Sequence, residues 1–283
     1  MWYYVLLCVS PVFACLQSVA QKQYNLRSKQ PDVILFSAVT CLIALVFFVL
    51  TSGLRIDFDA RVVPYSLAFA ACYASAWVAT VYAVRYGPIA ITSLIISLAL
   101  VFPVLQGVLL GESVTIPMAL GFALLIGAMV LSTPRGDGEG GFTVKWFVWT
   151  LIAFLGNGGC MIASNMQKRV LGEGYSHPFM ILALAVAFAA LFALSVVKNR
   201  GVSREALGCL PYASLNGASN GLMNLIILTV IGHIPNTVLY PTNAALGMLL
   251  TFLLAYFIYK ERFTRAQYVG YALGVVSVAL LNL

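Results

Sequence analysis

The sequence predicts an all-α membrane protein of ten transmembrane helices, arranged as two inverted five-helix repeats. Three observations lead there. Of 283 residues, 61% are hydrophobic and 9% are charged, with a mean hydropathy of +0.96, whereas about a quarter of a soluble domain is charged. The 16 basic and 9 acidic side chains bunch together, leaving charge-free runs at 1–21, 33–54, 62–84, 86–111, 113–134, 146–167, 174–197, 206–259 and 266–283. Short motifs then recur in order at an offset of about 147 residues, the sign of an internal repeat.

All but one of the runs are 18 to 26 residues long, close to the roughly 20 residues a helix needs to cross a bilayer. The first, with its apolar stretch Trp2 to Ala20, has no basic residues ahead of it and exceeds a signal-peptide core, so it reads as a retained span. The second includes Leu42 to Leu50, whose unbroken apolar character excludes the alternation of a membrane β-barrel. The third opens on Pro64-Tyr65, and the fourth carries Gly87-Pro88 and Pro103 before ending at Gly111-Glu112. The fifth, sixth and seventh are single uninterrupted runs. Residues 206–259 are long enough for two spans and break at Gly232-His233-Ile234-Pro235-Asn236, giving the eighth and ninth, and the tenth closes the chain. No connection has room for a soluble domain.

Charge then sets orientation. Connections 1–2, 3–4, 5–6, 7–8 and 9–10 hold Lys22, Arg27, Lys29, Arg85, Arg135, Lys145, Lys198, Arg200, Arg204, Lys260, Arg262 and Arg265. The other connections hold Arg55, Arg61, Lys168 and Arg169, and neither terminus is basic. The positive-inside rule puts the richer set in the cytoplasm and both termini outside a plasma-membrane protein. The net charge of +7 is thereby topological and implies no nucleic acid. Cys8, Cys15, Cys41, Cys72, Cys160 and Cys209 form no CxxC pair and have no histidine at ligand spacing, so neither metal nor cofactor is expected.

The repeat pairs Pro64-Tyr65 with Pro211-Tyr212, Gln21-Lys22 with Gln167-Lys168, Gly111-Glu112 with Lys260-Glu261 and Gly121 with Gly270. It divides the chain into a first repeat at 1–134, a linker at 135–145 and a second repeat at 146–283. Five spans per copy invert the second copy relative to the first, a recurring build of secondary transporters with a site near the midplane.

Two stretches carry a family resemblance: Val101-Phe102-Pro103-Val104 through Leu110-Gly111-Glu112 and on to Leu120-Gly121 through Gly127-Ala128, and Ile258-Tyr259-Lys260-Glu261-Arg262 followed by Val269-Gly270 through Ser277. In these the chain resembles the drug/metabolite transporter superfamily, EamA type. The resemblance covers the whole chain and implies ten helices in two repeats and the transport of small metabolites or drugs. This chain departs from the family pattern at Lys260, which stands where the first copy has Gly111. Its charge count also opposes the cytoplasmic termini expected of many members.

Polar side chains within spans tend to face a bundle interior or a water-filled path. In the eighth span Asn216, Ser219, Asn220, Met223 and Asn224 share a face, as do Asn157, Met161, Ser164, Asn165 and Lys168 in the sixth. The first span offers Ser10, Gln17, Ser18 and Gln21, and the third Tyr73, Trp77 and Thr80; at the repeat offset Tyr73 matches Asn220 and Trp77 matches Asn224. Ser93 in the fourth span and Tyr240-Pro241-Thr242-Asn243 in the ninth add polar groups and a proline break. The expected substrate-binding set is therefore Gln17, Gln21, Tyr73, Trp77, Ser93, Asn157, Ser164, Asn220, Asn224, Tyr240 and Asn243, from spans 1, 3, 4, 6, 8 and 9. Aromatic faces beside amides suit a small uncharged or zwitterionic solute. The competing reading makes the same amides interhelical hydrogen bonds.

Glu112 and Glu261 lie at span ends, where they are expected to cap the turns that follow, and His177 and His233 are expected at the interface. With no acid in mid-span, transport by alternating access is expected as facilitated diffusion or exchange, or with a coupling that does not use a buried acid. A lipid-linked carrier or flippase is the alternative. An integral-membrane enzyme would need clustered acids or histidines, but Asp57/Asp59 and Asp137/Glu139 lie in loops without histidine, so no enzyme is expected. The expected partners are a small solute and the lipid bilayer. One chain holds both repeats, which a functional monomer requires.

Overall fold

The structure, a computed structural model, describes residues 2–27, 32–54, 59–86, 92, 95–96, 98–132, 143–199, 208–257 and 264–281. These residues are all-helical, with no strand among them. Ten helices follow one another: α1 (Trp2–Arg27), α2 (Val33–Thr51), α3 (Val63–Tyr86), α4 (Val101–Leu109), α5 (Ile116–Ser132), α6 (Val144–Leu171), α7 (Ser176–Asn199), α8 (Leu210–Val230), α9 (Asn236–Phe257) and α10 (Arg265–Leu281). A 3₁₀ turn, Leu98–Leu100, leads into α4. Most of the expected linker, 135–142, lies outside the described residues, as do Ser93 and Glu261 and the side chain of Gln21.

Four of the described helical stretches are long and apolar enough to cross a membrane: Val33–Thr51, Ala60–Thr80, Val144–Leu171 and Glu173–Lys198. Trp2–Gln17, Leu98–Leu109, Ile116–Leu131 and Arg265–Leu281 are apolar but shorter. The polar rows of α8 dilute its apolar character, because Asn216, Asn220 and Asn224 recur every four residues. Large apolar side chains stand on the outer surface, among them Leu109, Ile116, Val144 and Val197, each more than three-quarters exposed. Such a surface fits a membrane protein, since water would drive it to aggregate.

Charged positions mark the expected span ends, yet several helices run past them. α1 continues to Arg27 and α6 to Leu171, which brings Lys168 into the last helical turn. A lysine stem can lie along apolar surface while the helix carries on, so a charge need not end a helix.

Contacts between connections sort the bundle into two ends. At one, the Tyr3 ring of α1 stacks on His233 between α8 and α9 with centroids 3.9 Å apart. Arg61 before α3 pairs with Asp59 at 2.8 Å and hydrogen-bonds the Tyr175 hydroxyl before α7. Those bonds from the Arg61 side chain and backbone hold the Asp59 carboxyl down to about 2. Chain reversal at this end uses glycines in the left-handed region, Gly53, Gly111, Gly172 and Gly232, at φ of 69° to 91°, where a Cβ would be strained. At the other end Tyr24 of α1 stacks on Phe36 of α2 at 4.9 Å and receives the Asp32 backbone N–H at 3.0 Å. Ser195 of α7 donates to Asp32 there at 3.3 Å. Asp32 also caps α2 by accepting from Ile34 and Leu35.

Between the ends, α1 packs on α8, α3 on α6, α2 on α7 and α8, α3 on α7, and α5 on α10, while α9 lies against α1, α4 and α10. Small residues permit the closest of these approaches. A Cβ on Gly156 of α6 would lie 2.8 Å from the Cys72 carbonyl oxygen of α3, and one on Gly217 of α8 would lie 2.6 Å from the Thr40 carbonyl of α2. The largest buried cluster joins Leu7, Phe48, Phe69, Phe179, Leu184 and Leu239 from α1, α2, α3, α7 and α9.

Candidate solute site

The expected residues gather into three groups. The first bridges α1 and α8. Gln17 Oε1 accepts from Asn220 Nδ2 at 3.1 Å, its backbone carbonyl accepts from Asn216 Nδ2 at 3.0 Å, and its Nε2 points to the Met223 sulfur at 3.3 Å. Asn224 Nδ2 continues the chain to Asn220, reaching the carbonyl at 2.9 Å and Oδ1 at 3.0 Å. Spacing by four on α8 puts these amides in one row, and α1 supplies their complement. Asn216 is buried, and its Oδ1 has no hydrogen-bond partner among the described residues, which leaves an acceptor open beside the row.

The second group is aromatic and belongs to α3. Tyr73 stacks on Phe69 at 5.8 Å and tilts against Trp77 at 6.2 Å, and its hydroxyl is buried. Sequence reasoning put Tyr73 and Trp77 in one site with Asn220 and Asn224. No hydrogen bond or ring contact joins the two pairs among the described side chains: Asn220 bonds to Gln17 of α1, whereas Tyr73 packs among Ala38 and Cys41 of α2 and Ala187 and Leu191 of α7.

The third group lies where α4, α6 and α9 meet. Asn165 Nδ2 donates to Gln106 Oε1 at 3.0 Å, and the Tyr240 hydroxyl donates to Asn165 Oδ1 at 3.0 Å. Tyr240 was expected here; Asn165 was seen in the α6 row but not chosen, and Gln106 was missed altogether. The available signal was its position as a lone amide in the apolar helix Val101–Leu109. Asn243, one turn beyond Tyr240, keeps a buried Oδ1 without a partner among the described residues. Pro241 sits within α9, as expected, and the helix continues through it.

Two expected residues bond to their own helix. Asn157 donates to the Ala153 carbonyl and Ser164 to the Cys160 carbonyl, both one turn back on α6 at 3.0 Å. These bonds spend the polar donors on their own helix. Gly158 beside them admits the Phe102 ring of α4, which would come within 2.6 Å of a Cβ there.

Above the third group a cavity of about 650 Å³ opens at the bundle end that holds Tyr3 and His233. Asn165 reaches it from the buried network, and Glu112, Lys168, Arg169, Glu173 and His233 line it with the 231–236 turn. Lys168 Nζ lies 3.2 Å from Glu173 Oε1, and His233 Nδ1 lies 3.5 Å from the same oxygen. Glu112 was expected to cap its own turn. Its Oε2 instead accepts the Thr237 backbone N–H of α9 at 2.9 Å, because the carboxylate satisfies one of the free donors at that helix start. No group of three or more metal-ligating side chains occurs among the described residues.

No protein-family model matches the chain, and no curated protein matches it either. A solved crystal structure, described only as that of a protein, superposes with a TM-score of 0.77. The match covers 98% of this chain and 95% of that one at 16% sequence identity. At that identity the likeness is one of fold.

Proposed function

We propose that the chain is a secondary transporter moving a small uncharged or zwitterionic solute by alternating access between two inverted repeats, residues 1–134 and 146–283. The observation that carries this reading is the bonded amide row of Gln17, Asn216, Asn220 and Asn224 inside the helical bundle. Amides buried this way are costly unless partnered, and an open acceptor at Asn216 gives a solute a group to bind.

Helix pairing supports the inverted repeat. Adding five to the helix numbers turns the α1–α8 contact into α6–α3 and the α2–α8 contact into α7–α3, while α2–α7, α4–α9 and α5–α10 map onto themselves. Such exchange is what a two-fold axis in the membrane plane produces. The EamA-type drug/metabolite transporters share this plan, and membership in that superfamily is part of the proposal. So are the cytoplasmic placement of the lysine- and arginine-rich connections and the external termini of a plasma-membrane protein. Without a mid-span carboxylate the proposed transport is exchange, facilitated diffusion or flux coupled through something other than a buried acid, and no enzymatic step is invoked.

Reconstitution tests it. The purified chain in liposomes is expected to equilibrate at least one labelled solute saturably from a panel of amino acids, nucleosides, sugars and amines. Asn220→Leu, inserted and folded, is expected to lower the initial rate at least tenfold. Flux at the parent rate would make the amide row a packing device, and no saturable flux of any soluble class would overturn the reading.

A further inference from the structure

We propose that the cavity at the Tyr3–His233 end of the bundle is a binding site for a small zwitterion, with Lys168 taking its carboxylate and Glu112 its ammonium. The inference rests on the transporter reading for its purpose, but its binding chemistry stands on the cavity alone.

A charged side chain sits at the heart of it. The Lys168 side chain is 7% exposed, yet its named ionic partner, Glu173, is 65% exposed and belongs to the short turn before α7. An ammonium has three donors, and one is directed to Glu173. Burial of a cation is costly without close partners, so a second carboxylate arriving at Lys168 gains more than one at a surface lysine. Glu112 contributes the opposite sign. Its Oε2 is engaged by Thr237, while its Oε1 makes no hydrogen bond among the described residues.

The charges of the lining balance: Lys168 and Arg169 against Glu112 and Glu173, with His233 beside Glu173. A lone anion or cation would upset that balance, whereas a net-neutral ligand carrying both charges meets each with its opposite. The volume of about 650 Å³ falls within the range of small-molecule sites, roughly 300–1,000 Å³. Asn165, at the floor, connects the cavity to Gln106 and Tyr240. A solute held at Lys168 therefore lies directly over buried amides. The incoming carboxylate shares the ammonium with Glu173 and lies beside that like charge, so binding also loosens the tie between α6 and the turn before α7.

The test uses the full chain in detergent and reads binding by thermal shift and isothermal calorimetry. The probes are glycine, β-alanine, γ-aminobutyrate and 5-aminovalerate, each compared with the matched monocarboxylic acid and primary amine. At least one amino acid of this series is expected to bind ten times more tightly than both of its single-charge analogues. Lys168→Met is expected to abolish that preference, and Glu112→Gln to make the amino acid no better than the matched acid. Glu173→Gln keeps the buried lysine and removes its competitor, so it is expected to tighten binding severalfold; this variant carries the test should Lys168→Met fail to fold. Equal affinity for zwitterion and single-charge analogues, or affinity unchanged in Glu173→Gln, overturns the proposal. Lys168-dependent binding without flux in liposomes would keep the site and defeat the transporter reading, while flux without zwitterion preference would do the reverse.

Discussion

A single hydroxyl decides how the third polar group holds together. Tyr240→Phe removes the donor to Asn165 Oδ1 at 3.0 Å and leaves that buried oxygen without it. Interhelical hydrogen bonds within membranes are typically worth about 0.6 kcal/mol and reach about 1.7 kcal/mol, less than in a dry soluble core. A double-mutant cycle with Asn165→Leu, followed by thermal unfolding, is expected to give a coupling near the upper part of that range, since both partners are buried. Coupling near zero would mean that the two side chains are merely adjacent. Tyr240 was legible in the sequence because it stands beside Pro241. Gln106 was not, since its partner lies 59 positions away and no local period links them. The same limit explains Asn157 and Ser164: their spacing was right for a shared face, but spacing does not reveal that each bonds to its own helix.

At the scale of helices, close approach depends on missing side chains. Gly156→Ala puts a methyl 2.8 Å from the Cys72 carbonyl oxygen and 2.9 Å from Ala76 Cβ, so α3 and α6 must part. Overpacking of this kind costs about 1–3 kcal/mol. Gly127→Ala on α5 is the opposite case. Nothing lies within 4 Å of its added Cβ and its φ is not positive, so the gain in helix propensity, about 1 kcal/mol, is expected to appear undiminished. The two melting temperatures should therefore move in opposite directions from the parent, and a Gly156→Ala protein that melts no lower than the parent would contradict the α3–α6 packing. Helix number and order were readable from charge-free runs, because bilayer thickness imposes a length on the sequence. Helix ends were not. α6 carries Lys168 past the expected boundary, where its ammonium pairs with Glu173 on the next turn, and that pairing exists only once the chain has reversed.

For the molecule as a whole, the two-ended sorting of connections turns the positive-inside argument into a measurement. Tyr3, Arg61, Glu112, Glu173 and His233 cluster at one end through the contacts of Tyr3 with His233, Arg61 with Tyr175 and Glu112 with Thr237. Tyr24, Asp32 and Ser195 meet at the other. Among the described residues, each end is therefore assembled from connections of one parity, and one orientation must hold for these together. The basic residues counted in the sequence favour the connections of the Tyr24 end by twelve to four, so the proposed orientation puts that end in the cytoplasm. Gly174 and Lys198 are exposed at opposite ends of α7, and nothing lies within 4 Å of a Cβ built on Gly174. Gly174→Cys is expected to react with a membrane-impermeant maleimide in intact cells, above the background of the native cysteines. Lys198→Cys should react only after the cells are opened. The reverse pattern would put the termini and the Lys168 cavity in the cytoplasm, so a zwitterion would reach that site from within the cell, and the loop charges would have been read with the wrong sign.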